Sequence, residues 1–254
     1  MKKAFMSLAI ILLLCGCSIH NAAQIEINSK QYETDISTVD AENIRFSGIK
    51  DTEFQTDLNK QLDDELASSL VAFESAAQDA SPNLTMGNKA VFNNKWHEKY
   101  NKNNFISMIN EEYTYLGGAH GSTAWRALNV DTVKNKTLTL SDLFADSGYK
   151  ETLNRMISEL VLEKPDEYKD LWAKPELKDS HQNDFYIEDG NLVIYFQPYD
   201  LSYYARGFVE FPLKLEELSG YLNAEYRRLI PGNVHQPKVT RKPNVTPDTS
   251  PSAV

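Results

Sequence analysis

The feature that most constrains this chain is a one-sided apolar stripe in its first third. Phe54, Leu58, Leu62, Leu66, Leu70, Phe73 and Ala77 recur every three or four residues. At about 100° per residue they fall within an arc of about 160°, which predicts an amphipathic helix from near residue 52 to residue 80. Ser81-Pro82-Asn83 ends it. Around this helix the period changes to two. Ile25 and Ile27, then Ile44 and Phe46, alternate like strands with one buried face. Ala90, Phe92, Trp96 and Tyr100 share a strand face opposite Asn93, Lys95, His97 and Lys99. Asn101-Lys102-Asn103-Asn104 then turns the chain into a partner strand over residues 105–116, giving a long hairpin.

The second half repeats the mixture. A strand over 122–133, a turn at Lys134-Asn135-Lys136 and Leu138 to Leu140 lead to a helix start at Ser141-Asp142. Helical spacing runs through Leu153, Ile157, Leu160 and Val161 to Pro165, with Tyr168, Leu171 and Trp172 adding another turn or two. Phe185-Tyr186-Ile187 and the apolar run 192–196 are joined by Asp189-Gly190, a type I′ hairpin signal, and the run itself reads as a buried strand. A loop over 198–206 precedes a strand over 207–211, and Leu215, Leu218, Leu222 and Tyr226 predict a final helix. The expected fold class is α+β, with mixed, mainly antiparallel sheets, packed helices and two small subdomains divided near Gly117 to Gly121. No convincing internal repeat is present.

The ends differ from the body. Met1-Lys2-Lys3 and an apolar stretch from Ala4 to Leu14 have the form of a secretory leader, too short to span a membrane. Leu14-Cys15-Gly16-Cys17 resembles a lipobox, so residues 1–17 are expected to be a lipoprotein signal and Cys17 the acylated residue, tethering the chain to a membrane. The chain has 2 cysteines; with Cys15 in the leader and Cys17 lipidated, no disulfide is expected and the domain must rely on core burial. The last segment, 231–254, places five prolines among Thr, Ser, Asn and Lys and is expected to be a disordered tail. Between the ends, residues 18–230 carry a net charge of −14. Such a body repels nucleic acid and anionic lipid head groups and attracts cationic partners.

Several elements in order resemble a known family. They are Tyr113-Thr114-Tyr115-Leu116-Gly117-Gly118-Ala119-His120-Gly121, Asn129-Val130-Asp131, the run 138–144, Phe185-Tyr186 and Tyr195-Phe196-Gln197-Pro198-Tyr199. Together they resemble the C-terminal domain of the RsiV family, membrane anti-sigma factors that sense lysozyme. Residues from about 25 to 116 resemble the companion domain at the front of PdaC, a peptidoglycan deacetylase. The resemblance implies a PdaC-like domain over 18–116, an RsiV-like domain over 117–230, and lysozyme or peptidoglycan as ligand. Two departures from the family pattern stand out: Asn135 where glycine is usual, and a loop in which Asp200 and Tyr203 replace a Glu and a Pro. With a cleavable leader expected in place of the family's cytoplasmic segment and transmembrane helix, the chain is not expected to be a transmembrane anti-sigma factor. The deacetylase's separate catalytic domain needs an acidic pair and a His-x3-5-His; the histidines at 20, 97, 120, 181 and 235 offer no such spacing. On these grounds no catalytic activity, metal or cofactor is expected.

Candidate binding residues lie in two loops. Gly117, Gly118, His120 and Ser122 form the first: glycine permits close approach of a ligand to backbone, and histidine moves protons near neutral pH. A structural reading stands beside this one, in which the glycines allow a tight reversal and His120 ties it. Asp131 and Asp142 are the acids a catalytic His120 would need, but no spacing links them. Tyr199, Tyr203, Tyr204 and Arg206 form the second loop; Tyr and Arg are enriched at interface hot spots, and Tyr stacks on sugars. Trp96 and Trp125 fit strand faces and read as core. The leading expectation is a lipid-anchored binding protein of the bacterial envelope, on the extracytoplasmic side, that takes a cationic protein such as lysozyme, or peptidoglycan. The rivals are an envelope hydrolase using His120 and a purely structural lipoprotein.

Overall fold

The computed structural model describes residues 23–84 and 88–232. The expected signal segment with Cys17, and all but two residues of the expected tail, lie outside the described residues. The fold is α+β, as expected. A six-stranded sheet holds β1 (Gln24–Glu33), β2 (Ser37–Ser47), β3 (Ala90–Lys102), β4 (Phe105–Tyr115), β5 (Ser122–Asp131) and β6 (Lys136–Thr137) in sequence order. All neighbours pair antiparallel except β2 and β3, which are parallel because the helix α1 (Thr52–Ala80) carries the chain back between them. Asp51 caps α1, its Oδ1 accepting the N–H groups of Glu53 and Phe54 at 3.1 and 3.0 Å.

The expected apolar stripe of α1 covers one face of this sheet, where alternate side chains of β3, β4 and β5 point. The interface is not continuous. Leu58 and Leu62 pack with Trp96, Ile106, Met108 and Val130 at one end; Leu70, Phe73 and Ala77 pack with Val39, Ala90 and Phe92 at the other. Between the two clusters sit Asn94 and Asn110, each 4 % exposed.

The opposite face carries a second, three-stranded antiparallel sheet, β7 (Phe185–Glu188), β8 (Asn191–Phe196) and β9 (Val209–Lys214), in that order. Tyr186, Val193 and Tyr195 face the large sheet beside Ile109. Leu192, Ile194 and Phe196 face the other way, toward Leu153, Met156 and Ile157 of α2 (Tyr149–Glu163). Both faces of β8 are thus buried, which explains its unbroken apolar run. Buried polar groups tie the sheets: Ser107 Oγ accepts the Ile187 N–H at 3.0 Å, and Asn129 donates to the Phe185 carbonyl at 2.9 Å.

The turns follow their residues. Asp189 and Gly190 have φ of 47° and 80°, the two positive values a type I′ turn requires. Asn135 has φ 53°, the left-handed conformation for which asparagine is the best substitute for glycine. Three expectations need correction. Tyr100 does not share the Trp96 face: a register shift between Glu98 and Tyr100 turns it over, and it packs on Phe105. Ser141-Asp142 starts only a short 3-10 turn over Leu140–Leu143, and α2 begins at Tyr149. Leu215, Leu218, Leu222 and Tyr226 are buried without forming a helix, apart from a 3-10 turn at Tyr226–Leu229. Turn bonds wind the chain over 214–222, and pairing of Leu222 and Asn223 with a distant segment stops them from continuing as a helix. The Asn223 N–H donates to Leu143 O at 2.9 Å, and its side chain donates to the carbonyls of Asp142 and Phe144. The division expected at Gly117 to Gly121 falls in the β4–β5 turn, and β5 stays in the large sheet across it.

Candidate functional site

The β4–β5 turn meets the loop that follows β8. In the turn, Gly117 and Gly118 have φ of 101° and 90°, conformations open mainly to glycine. Gly121 is needed for space: a Cβ there would meet the Tyr113 ring at 2.4 Å. The Tyr115 hydroxyl donates to Gly118 O at 3.2 Å. His120 is exposed, with Nδ1 2.7 Å from Gly121 O. A carbonyl only accepts, so Nδ1 is the donor of this bond.

Gln197 anchors the other loop by bonding both backbone groups of Trp125. Its Oε1 accepts the Trp125 N–H at 3.0 Å and its Nε2 donates to Trp125 O at 2.7 Å. Gln197 N–H in turn donates to Asp200 Oδ2 at 2.9 Å. This tight reversal forces Tyr199 to φ 75°, an outlier for an aromatic residue, and leaves it 55 % exposed. The Tyr199 hydroxyl lies 3.5 Å from His120 Nε2. The His120 ring stacks on Tyr204, centroids 4.6 Å apart and 13° between planes, and Tyr199 tilts against Tyr204 at 5.5 Å. Thr123 Oγ1 fixes the Tyr204 hydroxyl at 3.0 Å.

His120, Tyr199 and Tyr204 therefore form one aromatic face, framed by the backbone of Gly118. Tyr203 adjoins it, 47 % exposed, with its hydroxyl 3.3 Å from Asp170 Oδ2. Arg206 is not a free hot spot: Nη2 donates to Glu167 O at 2.6 Å, and Nε is buried with no acceptor among the described residues. Ser122 is not brought in either, since strand alternation sends it to the face opposite Thr123. Gly117 lies beside Leu84, where a Cβ would approach the Leu84 side chain to 3.2 Å. Sequence reasoning missed Trp172, 59 % exposed and joined to the loop by its N–H to Leu201 O at 2.9 Å, and Thr123. Trp125 is half-buried; it stacks on Phe208 with centroids 3.9 Å apart and donates to Glu111 at 2.7 Å.

The acids proposed for a catalytic His120 are elsewhere. Asp131 pairs with Arg228 at 2.7 Å, and Asp142 caps Thr139 and pairs with Lys136. Two carboxylates adjoin the aromatic face: Asp170 bonds Tyr203, and Asp200 closes the Tyr199 turn. Asp184, whose carbonyl accepts the Tyr195 N–H, has its carboxyl pushed up to about 6 by burial, with the Asp200 charge adding to the effect. Among the described residues no group of three or more His, Cys, Asp or Glu is placed to hold a metal ion, and no helix is long and apolar enough to cross a membrane.

Comparison with known proteins gives the family setting. Residues 30–123 match the family model described as Deacetylase PdaC, and residues 141–216 the one described as Protein of unknown function DUF3298. A curated relative, the peptidoglycan-N-acetylmuramic acid deacetylase PdaC of Bacillus subtilis, is 28 % identical over 129 residues, 48 % of this chain and 27 % of that protein. The chain thus spans about a quarter of that relative's length. Crystal structures of DUF3298 family proteins share the fold. One from Bacteroides fragilis has a TM-score of 0.59 at 20 % identity, covering 81 % of this chain and 96 % of that one. One from Pseudomonas aeruginosa has a TM-score of 0.59 at 15 % identity, covering 82 % and 97 %. The expectation that the chain has no catalytic activity is overturned: the matched family and the curated relative both carry a deacetylase name, which the missing histidine spacing did not anticipate. The chain carries a PdaC-type domain over residues 30–123 followed by a DUF3298 domain over residues 141–216.

Proposed function

We propose that this is an envelope protein, tethered outside a bacterial membrane through acyl chains on Cys17, that docks a cationic protein of the lysozyme type on its His120–Tyr199–Tyr204 face. The observation that carries this reading is Tyr199, held exposed in a left-handed conformation that costs about 1 kcal/mol or more. The ring ties two loops together through His120 and Tyr204 but fills no core position. Tyr199, Tyr203 and Trp172 offer wide, rigid rings of the kind found at interface hot spots. Acidic neighbours on a body of net charge −14 suit Arg and Lys side chains, which also bind ring faces. The leader sequence and the name of the peptidoglycan deacetylase relative support an envelope setting.

The test is titration of the purified chain with hen lysozyme and, separately, with purified peptidoglycan, at low and at about 0.15 M salt. Saturable lysozyme binding that persists at the higher salt and falls at least tenfold in Tyr199→Ala supports the reading. Binding that vanishes with salt is charge attraction alone and overturns it. Binding of peptidoglycan only would make the face a wall-docking surface. Incorporation of labelled fatty acid in cells, lost in Cys17→Ser, tests the anchor.

A further inference from the structure

On the α1 side of the large sheet, the helix packs over β2 and β3 but leaves β5 open, so that Ala124 and Arg126 on that face are exposed. Between α1 and strands β3 to β5 lies a cleft of about 710 Å³, within the size range of small-molecule sites. Strand register sets its floor. Trp96, Asn110 and Arg126 stand side by side in one row across β3, β4 and β5, and Asn94, Glu112 and Ala124 form the next. The two asparagines interrupt the helix–sheet core and are held in a fixed orientation. Asn94 Nδ2 donates to Glu42 O at 2.6 Å, and Asn110 Nδ2 donates to Asn94 Oδ1 at 2.8 Å and to Lys95 O at 3.3 Å. Asn110, 4 % exposed, is left with an Oδ1 that accepts no hydrogen bond from the described residues and borders the cleft. An acceptor without a donor is costly at that depth, and a ligand N–H would satisfy it.

Two opposite charges stand near this oxygen without meeting each other. Glu112 lies two residues along β4 on the same face, diagonal to Arg126 across the strand pair, a backbone separation of about 7–8 Å. It makes no ion pair among the described residues. Arg126 turns instead toward α1, its Nη1 paired with Glu65 and its guanidinium 5.7 Å from the Trp96 ring centroid. A guanidinium has five N–H donors, so the Glu65 pairing leaves others for a second acceptor, and the Ser69 hydroxyl of α1 lines the same cleft. Leu66 and Trp96 add apolar lining. The cleft therefore offers a carboxylate and an amide oxygen to a donor and a guanidinium and a hydroxyl to an acceptor. A ligand of one charge satisfies half of it. A small zwitterion, with ammonium and carboxylate on one carbon, satisfies both.

We propose that the α1–β3–β5 cleft binds a free α-amino acid with an apolar side chain. Its ammonium donates to Glu112 and Asn110 Oδ1, its carboxylate accepts from Arg126 and Ser69, and its side chain packs on Leu66 and Trp96. This site is independent of the protein-docking reading, because the two lie on opposite faces of the sheet. The probe is L-leucine, titrated into the full chain by calorimetry. The comparators are isoamylamine, which is leucine without its carboxylate, isocaproate, which is leucine without its ammonium, and glycine, which lacks the side chain. Saturable binding of leucine below about 1 mM, at least tenfold tighter than any comparator, is expected.

Arg126→Gln and Glu112→Gln should each bind leucine at least tenfold more weakly, with thermal midpoints within a few degrees of the parent and lysozyme titrations unchanged. Glu65→Gln should act in the opposite direction. With Glu65 neutral, the ligand carboxylate no longer competes for the Arg126 guanidinium, so leucine should bind several-fold more tightly. A side chain that only shapes the cleft would not give that gain. No saturable binding of leucine overturns the proposal, as does leucine affinity unchanged in both Arg126→Gln and Glu112→Gln. Isoamylamine binding as tightly as leucine would show charge attraction to an acidic body, isocaproate binding as tightly would show an anion site on Arg126 alone, and glycine binding as tightly would remove the apolar contact. Each of these also overturns it.

Discussion

Tyr199 reaches His120, 79 positions earlier in the chain, with its hydroxyl 3.5 Å from Nε2, and both rings lie against Tyr204. The contact joins the turn after β4 to the loop after β8, so each loop holds the other's shape. Because Tyr199 is paid for in backbone strain, Tyr199→Gly relieves the left-handed φ while adding unfolded-chain entropy of about 0.5–1 kcal/mol. Its thermal midpoint is expected to stay within a few degrees of the parent or rise, while lysozyme affinity falls at least tenfold. A large loss of stability with affinity retained would mean that the ring serves the core.

His120→Ala separates the roles considered for that residue. The ring is exposed and its partners among the described residues are a carbonyl and two tyrosines, so a small stability change of about 0.5–1 kcal/mol is expected. Lysozyme affinity should fall several-fold as Tyr204 loses its stacking partner. Calorimetry of the docking reaction and a thermal melt on the same sample check both.

Two glycines of the turn should fail for different reasons. Gly118→Ala meets no atom within 4 Å but holds φ 90°, so strain of about 1 kcal/mol is its whole cost. Gly121→Ala has no positive φ but places a methyl into the Tyr113 ring, so that ring must swing out, costing about 1–3 kcal/mol. Gly121→Ala with Tyr113→Ala together should recover most of the loss, and no such rescue is expected for Gly118→Ala. Melts of the four variants decide it.

The sequence was most readable where one period governs a whole element. The stripe from Phe54 to Ala77 gave α1, and Asp189-Gly190 gave the β7–β8 turn, because a strict geometric demand selected those residues. It was least readable where distant backbone took over. Leu215, Leu218 and Leu222 keep helical spacing, yet the chain winds only as successive turns before Asn223 bonds to 142–144, and no regular helix forms. The bulge that turns Tyr100 over leaves no periodic mark. At the aromatic face, His120 and Tyr204 stood out by composition. Thr123, Trp172 and the inward turn of Arg206 depend on which loops meet, which local pattern does not encode. The interruption of the helix–sheet core was invisible for the same reason: Asn94 and Asn110 occupy core positions in both strands, and only their pairing under α1 shows that the core is divided.

Asp184, beside the loop that follows β8, is expected to give stability a pH dependence. Burial, helped by Asp200, raises its carboxyl from the ordinary 3.8 to about 6. The folded protein then holds this proton more tightly than the unfolded chain does. The stability it contributes is full below about pH 4 and is lost as pH rises through 6. The full shift would be about 3 kcal/mol, and solvent screening at a partly exposed site reduces it to about 1 kcal/mol. Asp184→Asn should therefore flatten the decline in stability between pH 4 and 7 and be the more stable protein at pH 7. Denaturant titrations at several pH values check this, and an unchanged slope in Asp184→Asn would show that the carboxyl is not its source.

Asp131 and Arg228 tie the large sheet to the last described turn. Asp131, 0 % exposed, accepts the N–H groups of Val133 and Lys134 at 2.9 and 3.0 Å through Oδ1 and pairs with Arg228 through Oδ2 at 2.7 Å. Arg228 also donates to Asn103 O at 3.0 Å, so one guanidinium links the β3–β4 turn, the end of β5 and the 3-10 turn Tyr226–Leu229. Asp131→Asn keeps the backbone bonds but leaves the Arg228 charge unpaired in a mostly buried place, and a loss of about 3 kcal/mol is expected. Arg228→Met leaves Asp131 unpaired at similar cost. The double variant removes both charges, so it should be more stable than the sum of the two losses predicts, with a coupling of about 1–3 kcal/mol in a double-mutant cycle. Additive losses would show that the pair does not hold the sheet to the turn as a unit.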